Sequence, residues 1–217
     1  EGITMFDLRQ RETIIACRHP ILPIERIVNV DTKMQMLRLA YTRAGPNRWK
    51  TDLVVPKSVL ASPQRILDLA DRGISVTSDN AKHLISYLQE IEDLNYAALP
   101  EQRAVARLGW INDKEFSPYA EGLQFDETAD LKQQFRSVQP TGDYELWLET
   151  VRTWRGRDIV FRIMTAASFA SVILKKMSVL PAFVHLWADL SSSGKSVALM
   201  MAASVWGNPE SGEYMQS

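Results

Sequence analysis

The first part of the chain alternates short apolar runs with turn signals, a pattern that predicts β-structure. The runs "RETIIACRH" and "ERIVNVD" are rich in β-branched residues and are separated by prolines. The segments "KMQMLRLAYTR" and "RWKTDLVVP" flank "AGPN", so we expect a hairpin centred on Gly45-Pro46. Further along, "AVARLGWIND" and "EFSPYAEGLQFD" have the pattern of short strands around turns.

Two helices are predicted between these strands, near residues 63–72 and 79–94. Ser62 is a suitable N-cap for the first, with Pro63 in its first turn. The second carries apolar residues at helical spacing on one face, namely Leu84, Leu88 and Ile91. Residues 1–141 are therefore predicted to form an α+β domain.

The pattern becomes helical after "SVQPTGD", the best candidate for a linker. In "DYELWLETVRTW" the apolar side chains recur every three or four residues, which predicts a helix with one buried face. Residues 159–177, "IVFRIMTAASFASVILKKM", are the stretch most similar to a membrane span, but their uninterrupted apolar part is too short and Arg162 lies within it. We expect a helix buried in a protein core instead.

The strongest functional signal is "AFVHLWADLSSSGKSVALMMAASVW", residues 182–206. Its centre matches the end of a phosphate-binding loop, which works only between a strand and a helix. Residues 182–187 are predicted to be a buried parallel strand, and Lys195 to begin a helix covered on most sides. Residues 142–217 are therefore predicted to be the beginning of an α/β P-loop NTPase domain of the RecA/AAA+-like kind.

This loop would bind ATP through its backbone and through two side chains. The N–H groups of Ser192 to Ser196 would point at the phosphates, aided by the positive end of the helix. Lys195, the candidate catalytic residue, would reach the β- and γ-phosphates, and the Ser196 hydroxyl would bind Mg²⁺. The candidate ATP-binding set is Asp189, Leu190, Ser191, Ser192, Ser193, Gly194, Lys195 and Ser196.

Asp189 occupies the position at which the loop pattern has its first glycine. Aspartate tolerates left-handed backbone conformations, so the turn itself can survive. Its carboxylate repels a triphosphate unless it points outward. We therefore interpret the loop as competent, with a nucleotide affinity that depends on where Asp189 points.

Composition narrows the possible functions only slightly. The chain is 46% hydrophobic and 24% charged, and its net charge of −1 means that any DNA-binding surface must be a local patch. The single Cys17 excludes an internal disulfide, fits a cytoplasmic protein and is expected in a buried strand. The three histidines lie far apart in sequence, and no metal-ligand spacing is found.

A P-loop ATPase also needs an acidic residue on a neighbouring strand to hold Mg²⁺ and orient water. That strand must follow a crossover of a dozen or more residues, and the predicted helix occupies much of the sequence after Ser196. We therefore expect the chain to be a fragment, truncated after the P-loop helix and inactive alone.

Several segments together resemble the family catalogued as domain of unknown function 927, helicase-like P-loop ATPases of phages, plasmids and integrative elements. The resemblance lies in the helix pair after "RWKTDLVVP", in "RLGWIND", in "MTAASFASVILKKM" and in "VHLWADLSSSGKSVALMMAASVWGNPE". It departs at Asp189, where the family usually has glycine. The resemblance implies a mobile-element replication ATPase that uses ATP and Mg²⁺, engages DNA and forms a homo-oligomeric ring. From the sequence itself we expect no membrane association.

Two further features have a structural and a functional interpretation. Gly109-Trp110 is interpreted as a strand with a bulge or close packing at Gly109 and a core tryptophan, or as a stacking platform for a base. The arginine cluster (Arg152, Arg155 and Arg157, around Trp154) is a solvated helix end, or a contact for DNA phosphates.

The leading hypothesis is an ATP-driven DNA helicase with residues 1–141 as an accessory or DNA-engaging domain. The rival is a non-catalytic DNA-binding or protein-interaction module whose nucleotide loop has degenerated at Asp189. A nucleotide kinase or small-molecule transferase ranks lower, because it gives the large N-terminal part no role.

Overall fold

The computed structural model describes residues 2–7, 11–43, 48–126, 132–189 and 193–209, without the side chains of Asp7 and residues 132–134. Contacts divide the chain into two compact units. Unit 1 comprises residues 1–105 and 122–128, and unit 2 comprises residues 106–121 and 129–217. The domain boundary predicted between 141 and 142 stays a prediction; the contacts group residues 106–121 and those from 129 onward with the C-terminal residues.

Unit 1 contains a five-stranded mixed sheet and a separate strand pair. Its strands are β1 Ile3–Asp7, β2 Glu12–Cys17, β3 Ile21–Asn29, β4 Gln35–Tyr41, β5 Lys50–Pro56, β6 Glu101–Val105 and β9 Leu123–Phe125. The sheet has the strand order β5-β4-β3-β6-β9, with β3 antiparallel to β4 and parallel to β6, and β6 parallel to β9. The antiparallel pair of β1 and β2 precedes this sheet.

The main core of unit 1 lies between these strands and helix α2, Ala81–Leu94. Apolar residues of β4 and β5 face the same core as Leu84 and Leu88 of α2, which are almost completely buried. Unit 1 also holds the short helix α1, Lys57–Leu60, and a 3₁₀ helix, Arg65–Ala70. Burial of one stripe of α2 against the sheet accounts for the helical spacing of its apolar residues.

The described residues of unit 2 form a short strand pair and four helices. The pair is β7, Gly109–Trp110, and β8, Phe116–Ser117, which are antiparallel. The helices are α3 Lys132–Ser137, α4 Tyr144–Arg157, α5 Ile159–Ser171 and α6 Lys195–Ala203. Helices α4, α5 and α6 share a small core of Val151, Phe161, Met164, Ala198 and Met201. Asp143, at the end of the predicted linker, caps α4 by accepting a hydrogen bond from the Leu146 N–H at 3.0 Å.

Most predicted elements are confirmed. The strands β4 and β5 pair as the arms of the expected hairpin, although its turn at Gly45-Pro46 lies outside the described residues. The helix at 79–94, the helix after the linker and the short strands between 101 and 125 are also present. Cys17 is a buried strand residue, as predicted.

Three predictions are corrected. The helix expected near 63–72 is a 3₁₀ helix over Arg65–Ala70. The segment 159–177 is helical only to Ser171 and buries one stripe, since Ile163 and Phe169 are each 48% exposed. Helix α6 is likewise half-covered, because Val197 and Leu199 are exposed. Among the described residues, no helix is long and apolar enough to cross a membrane.

The parallel strand predicted at 182–187 is wrong. Residues 179–188 have no regular secondary structure, and Phe183 and Trp187 are largely exposed. A strand exists only where a neighbouring strand shares its backbone hydrogen bonds. In the described part of unit 2 the strands are β7 and β8, which pair with each other, so this apolar run has no partner there.

Candidate nucleotide-binding site

The candidate loop precedes α6, as the sequence predicts, and two of its residues set the geometry. Gly194 is the N-cap of the helix and has a left-handed backbone, with φ of 80°. Lys195 is the first helical residue. A left-handed N-cap costs little only for glycine, so this position needs the glycine of the motif.

No side chain of the described residues caps the first turn of α6, which presents its backbone N–H groups. The N–H of Ala198 bonds the Gly194 carbonyl at 3.0 Å, which leaves the amides before it outside the helical ladder. Such amides, together with the partial positive charge of a helix N-terminus, favour an anion. The geometry at this end of α6 therefore suits a phosphate.

The Lys195 ammonium lies close to the loop that precedes it. Its Nζ donates a hydrogen bond to the Ser193 Oγ at 2.9 Å. Ser196 is exposed on the first turn of α6, and Asp189 is exposed at the other end of the loop. Leu190, Ser191 and Ser192 lie outside the described residues.

Helix α6 is held at its opposite end by side-chain hydrogen bonds that no sequence pattern indicates. Ser168 Oγ on α5 donates to the Ala202 carbonyl at 2.6 Å, and Trp206 Nε1 donates to Ser168 Oγ at 3.0 Å. Trp147 Nε1 on α4 donates to Ser204 Oγ at 2.9 Å. Together with the buried Met201, these bonds fix α6 against α4 and α5.

The arginine cluster lies on the exposed last turns of α4. All three side chains are in solvent, and the Arg157 guanidinium lies 5.6 Å from the centre of the Trp154 ring. A positive charge at a helix C-terminus is favourable without any ligand. Both interpretations of the cluster remain compatible with this arrangement.

Gly109 and Trp110 form β7, as the structural interpretation predicts, but no close packing requires the glycine. A Cβ at Gly109 would meet nothing within 4 Å; its φ of 99° is what requires glycine. Trp110 is half-buried, and its Nε1 donates to the Val172 carbonyl at 2.5 Å. Among the described residues, no group of three His, Cys, Asp or Glu side chains is placed to hold a metal ion.

A match to a family model identifies the family of this chain. The model described as "Domain of unknown function (DUF927)" matches residues 1–217. The chain belongs to the DUF927 family. The resemblance inferred from the sequence is thus confirmed.

One solved structure similar to this DUF927 chain is described as "SCCmec type IV Cch - active helicase". The two share 18% sequence identity with a TM-score of 0.51, and the match covers 96% of this chain and 40% of that one. At this identity the likeness concerns the mixed α and β fold. Comparison with curated proteins finds no match.

Proposed function

We propose that this DUF927 chain is part of an ATP-driven DNA helicase and that residues 189–196 bind the phosphates of ATP. The observation that carries the proposal is the start of α6, where a left-handed Gly194 is followed by Lys195 and Ser196. An uncapped helix N-terminus directly after a small-residue loop is the arrangement by which P-loop proteins hold phosphate. The similarity in fold to a protein described as an active helicase supports the same assignment.

Each of these residues then has a defined task. The first amides of α6 bind phosphate oxygens, and the Lys195 ammonium leaves Ser193 to neutralise charge on the β- and γ-phosphates. The exposed Ser196 hydroxyl is a hard oxygen ligand and fits Mg²⁺, which takes few protein ligands and keeps phosphate and water in its other positions. Mg²⁺ supplies charge neutralisation on the phosphates when it is bound.

The proposal is tested in the longer protein by Lys195→Ala. Loss of the ammonium should abolish ATP hydrolysis and DNA unwinding, while the circular dichroism spectrum stays that of the parent. Lys82→Ala, which removes an exposed ammonium from α2 in unit 1, is the matched control and should keep both activities. Hydrolysis that survives Lys195→Ala would refute the assignment of the loop.

Asp189→Gly tests the departure from the family pattern. The change removes a carboxylate next to the loop, so the affinity for ATP–Mg²⁺ should be equal or higher in a titration calorimetry experiment. Abolished hydrolysis in this variant would instead give Asp189 a specific task.

A non-catalytic module is the second candidate, and the exposed run 182–187 favours it. This run does not form the strand on which a working P-loop depends, and Asp189 follows it closely. The two candidates differ in the longer protein. The helicase binds ATP, assembles as a ring on DNA in the cytoplasm and hydrolyses ATP, whereas the module binds its partner with no dependence on nucleotide.

A further inference from the structure

Unit 2 contains a cavity of about 390 Å³ that is separate from the P-loop. Its walls are β7, β8, the end of α5 and the turn after α6. Trp110, Phe116 and Trp206 all line it. The volume falls in the range of about 300–1,000 Å³ that is typical of small-molecule sites.

The three aromatic rings are held in fixed orientations. Phe116 lies 5.2 Å from Trp110 at 85° and 6.4 Å from Trp206 at 22°, measured between ring centres. Both indole N–H groups are already bonded, from Trp110 to the Val172 carbonyl and from Trp206 to Ser168. The rings therefore offer the cavity flat apolar faces and edges whose positions the fold has set in advance.

The charged residues that line the cavity are both cations, Arg107 and Lys175. Arg107 Nη1 and Lys175 Nζ donate to the Trp110 carbonyl, at 2.6 and 3.0 Å, so both are fixed beside the rings. A third cation, Lys176, lies 4.2 Å from the centre of the Trp110 ring and is paired with the exposed Asp113. This arrangement suits a ligand that joins a flat ring to an anion.

From the aromatic rings and the cations, we infer that this cavity binds an unpaired nucleobase with its phosphate beside Arg107 and Lys175. A base stacks on aromatic faces and hydrogen-bonds through its edge, and its phosphate is attracted to cations. The base can come from single-stranded DNA or from a free nucleotide. The inference rests on unit 2 and not on the P-loop.

The test compares two fluorescent probes on the full 217-residue chain: a short oligodeoxyadenylate, and the same sugar–phosphate strand without bases. Fluorescence anisotropy without ATP or Mg²⁺ gives both affinities. Tighter binding of the base-bearing strand is expected, and equal affinity for the two would overturn the inference. Competition by deoxyadenosine monophosphate then distinguishes a free-nucleotide site from a DNA site. The mononucleotide should displace the fluorescent strand from a free-nucleotide site, whereas only an unlabelled oligonucleotide should displace it from a DNA site.

Trp206→Ala should weaken the base-dependent binding roughly 5- to 150-fold, the range that loss of one stacked aromatic produces. The matched control is Trp187→Ala, a tryptophan 74% exposed and outside the cavity, which should bind as the parent does. Lys195→Ala should also keep this binding, so that failure of the P-loop assignment and failure of this site remain distinguishable.

Trp206→Ala removes a bond to α5 and can disturb folding, so a second variant fills the cavity instead. Ser171 is exposed at the end of α5 and lines the cavity. Ser171→Trp should block the base and abolish the difference between the two strands, whereas Ser171→Ala should preserve it. Unchanged base-dependent binding in a folded Ser171→Trp protein would overturn the site.

Discussion

The ion pair between Lys57 and Glu92 allows a sharp test of what stabilises unit 1. Lys57 Nζ on α1 lies 2.7 Å from Glu92 Oε1 on α2, and the Glu92 side chain is only 4% exposed while that of Lys57 is 41% exposed. Lys57→Met keeps most of the aliphatic stem but leaves the Glu92 carboxylate buried without a counter-charge. Removing one partner of a fully buried pair costs about 3–5 kcal/mol.

Water reaches the lysine end of this pair, which reduces that figure. We expect Lys57→Met to lower the free energy of unfolding of unit 1 by about 2 kcal/mol. The double variant Lys57→Met, Glu92→Leu exchanges the pair for apolar packing and should lie within about 1 kcal/mol of the parent. Native-state hydrogen exchange of the α2 amides is the appropriate assay, because a chain of two units need not unfold in one transition.

The double variant decides the result. If its destabilisation equals the sum of the destabilisations caused by Lys57→Met and by Glu92→Leu alone, the two side chains contribute independently. The ion pair would then not stabilise unit 1. If Lys57→Met lowers the free energy of unfolding by less than about 0.5 kcal/mol, water rather than the Lys57 ammonium stabilises the charge of the Glu92 carboxylate. That result would also refute the proposed role of the ion pair.

Three further predictions follow from other sites. Burial lowers the pKa of His19 below 6.5, so the unfolded chain takes up the proton first and unfolding becomes easier as the pH falls through 6.5. Urea titrations at several pH values should show this dependence, and His19→Gln should flatten it. Gly194→Ala forces a left-handed alanine at the start of α6 and should cost about 1–2 kcal/mol of stability along with nucleotide affinity, measured by thermal melts with and without ATP. If the arginine cluster binds DNA, changing all three residues to Ala should reduce the salt slope of binding by roughly one per lost phosphate contact, and an unchanged slope assigns the cluster to solvent.

Local patterns predict the parts of the fold that depend on local chemistry. The helical spacing of apolar residues in α2 corresponds to one buried stripe, so the sequence was sufficient for it. The start of α6 was also predictable from a local pattern, because the loop motif places its glycine, Gly194, directly before the helix and its lysine, Lys195, as the first helical residue.

Features that depend on contacts between residues distant in sequence could not be predicted from local patterns. The run 182–187 has the composition of a buried strand, but strand formation depends on a partner that composition does not supply. Glu92 lies four residues after Leu88 on the buried stripe of α2, where a charged residue is not expected. Its burial is explained by the ion pair with Lys57 on α1, which no local pattern indicates.

The parallel pairing of β6 with β9 has a consequence for how this protein can be rearranged by evolution. The crossover between the two strands, residues 106–121, clusters with unit 2, so the chain leaves unit 1 after Val105 and returns to it at Gly122. A hybrid gene made by recombination at a single breakpoint within this region separates β9 from the strand it pairs with, or β7 and β8 from α5. Exchange of unit 2 between relatives without damage to unit 1 therefore requires several breakpoints, which disfavours such an exchange.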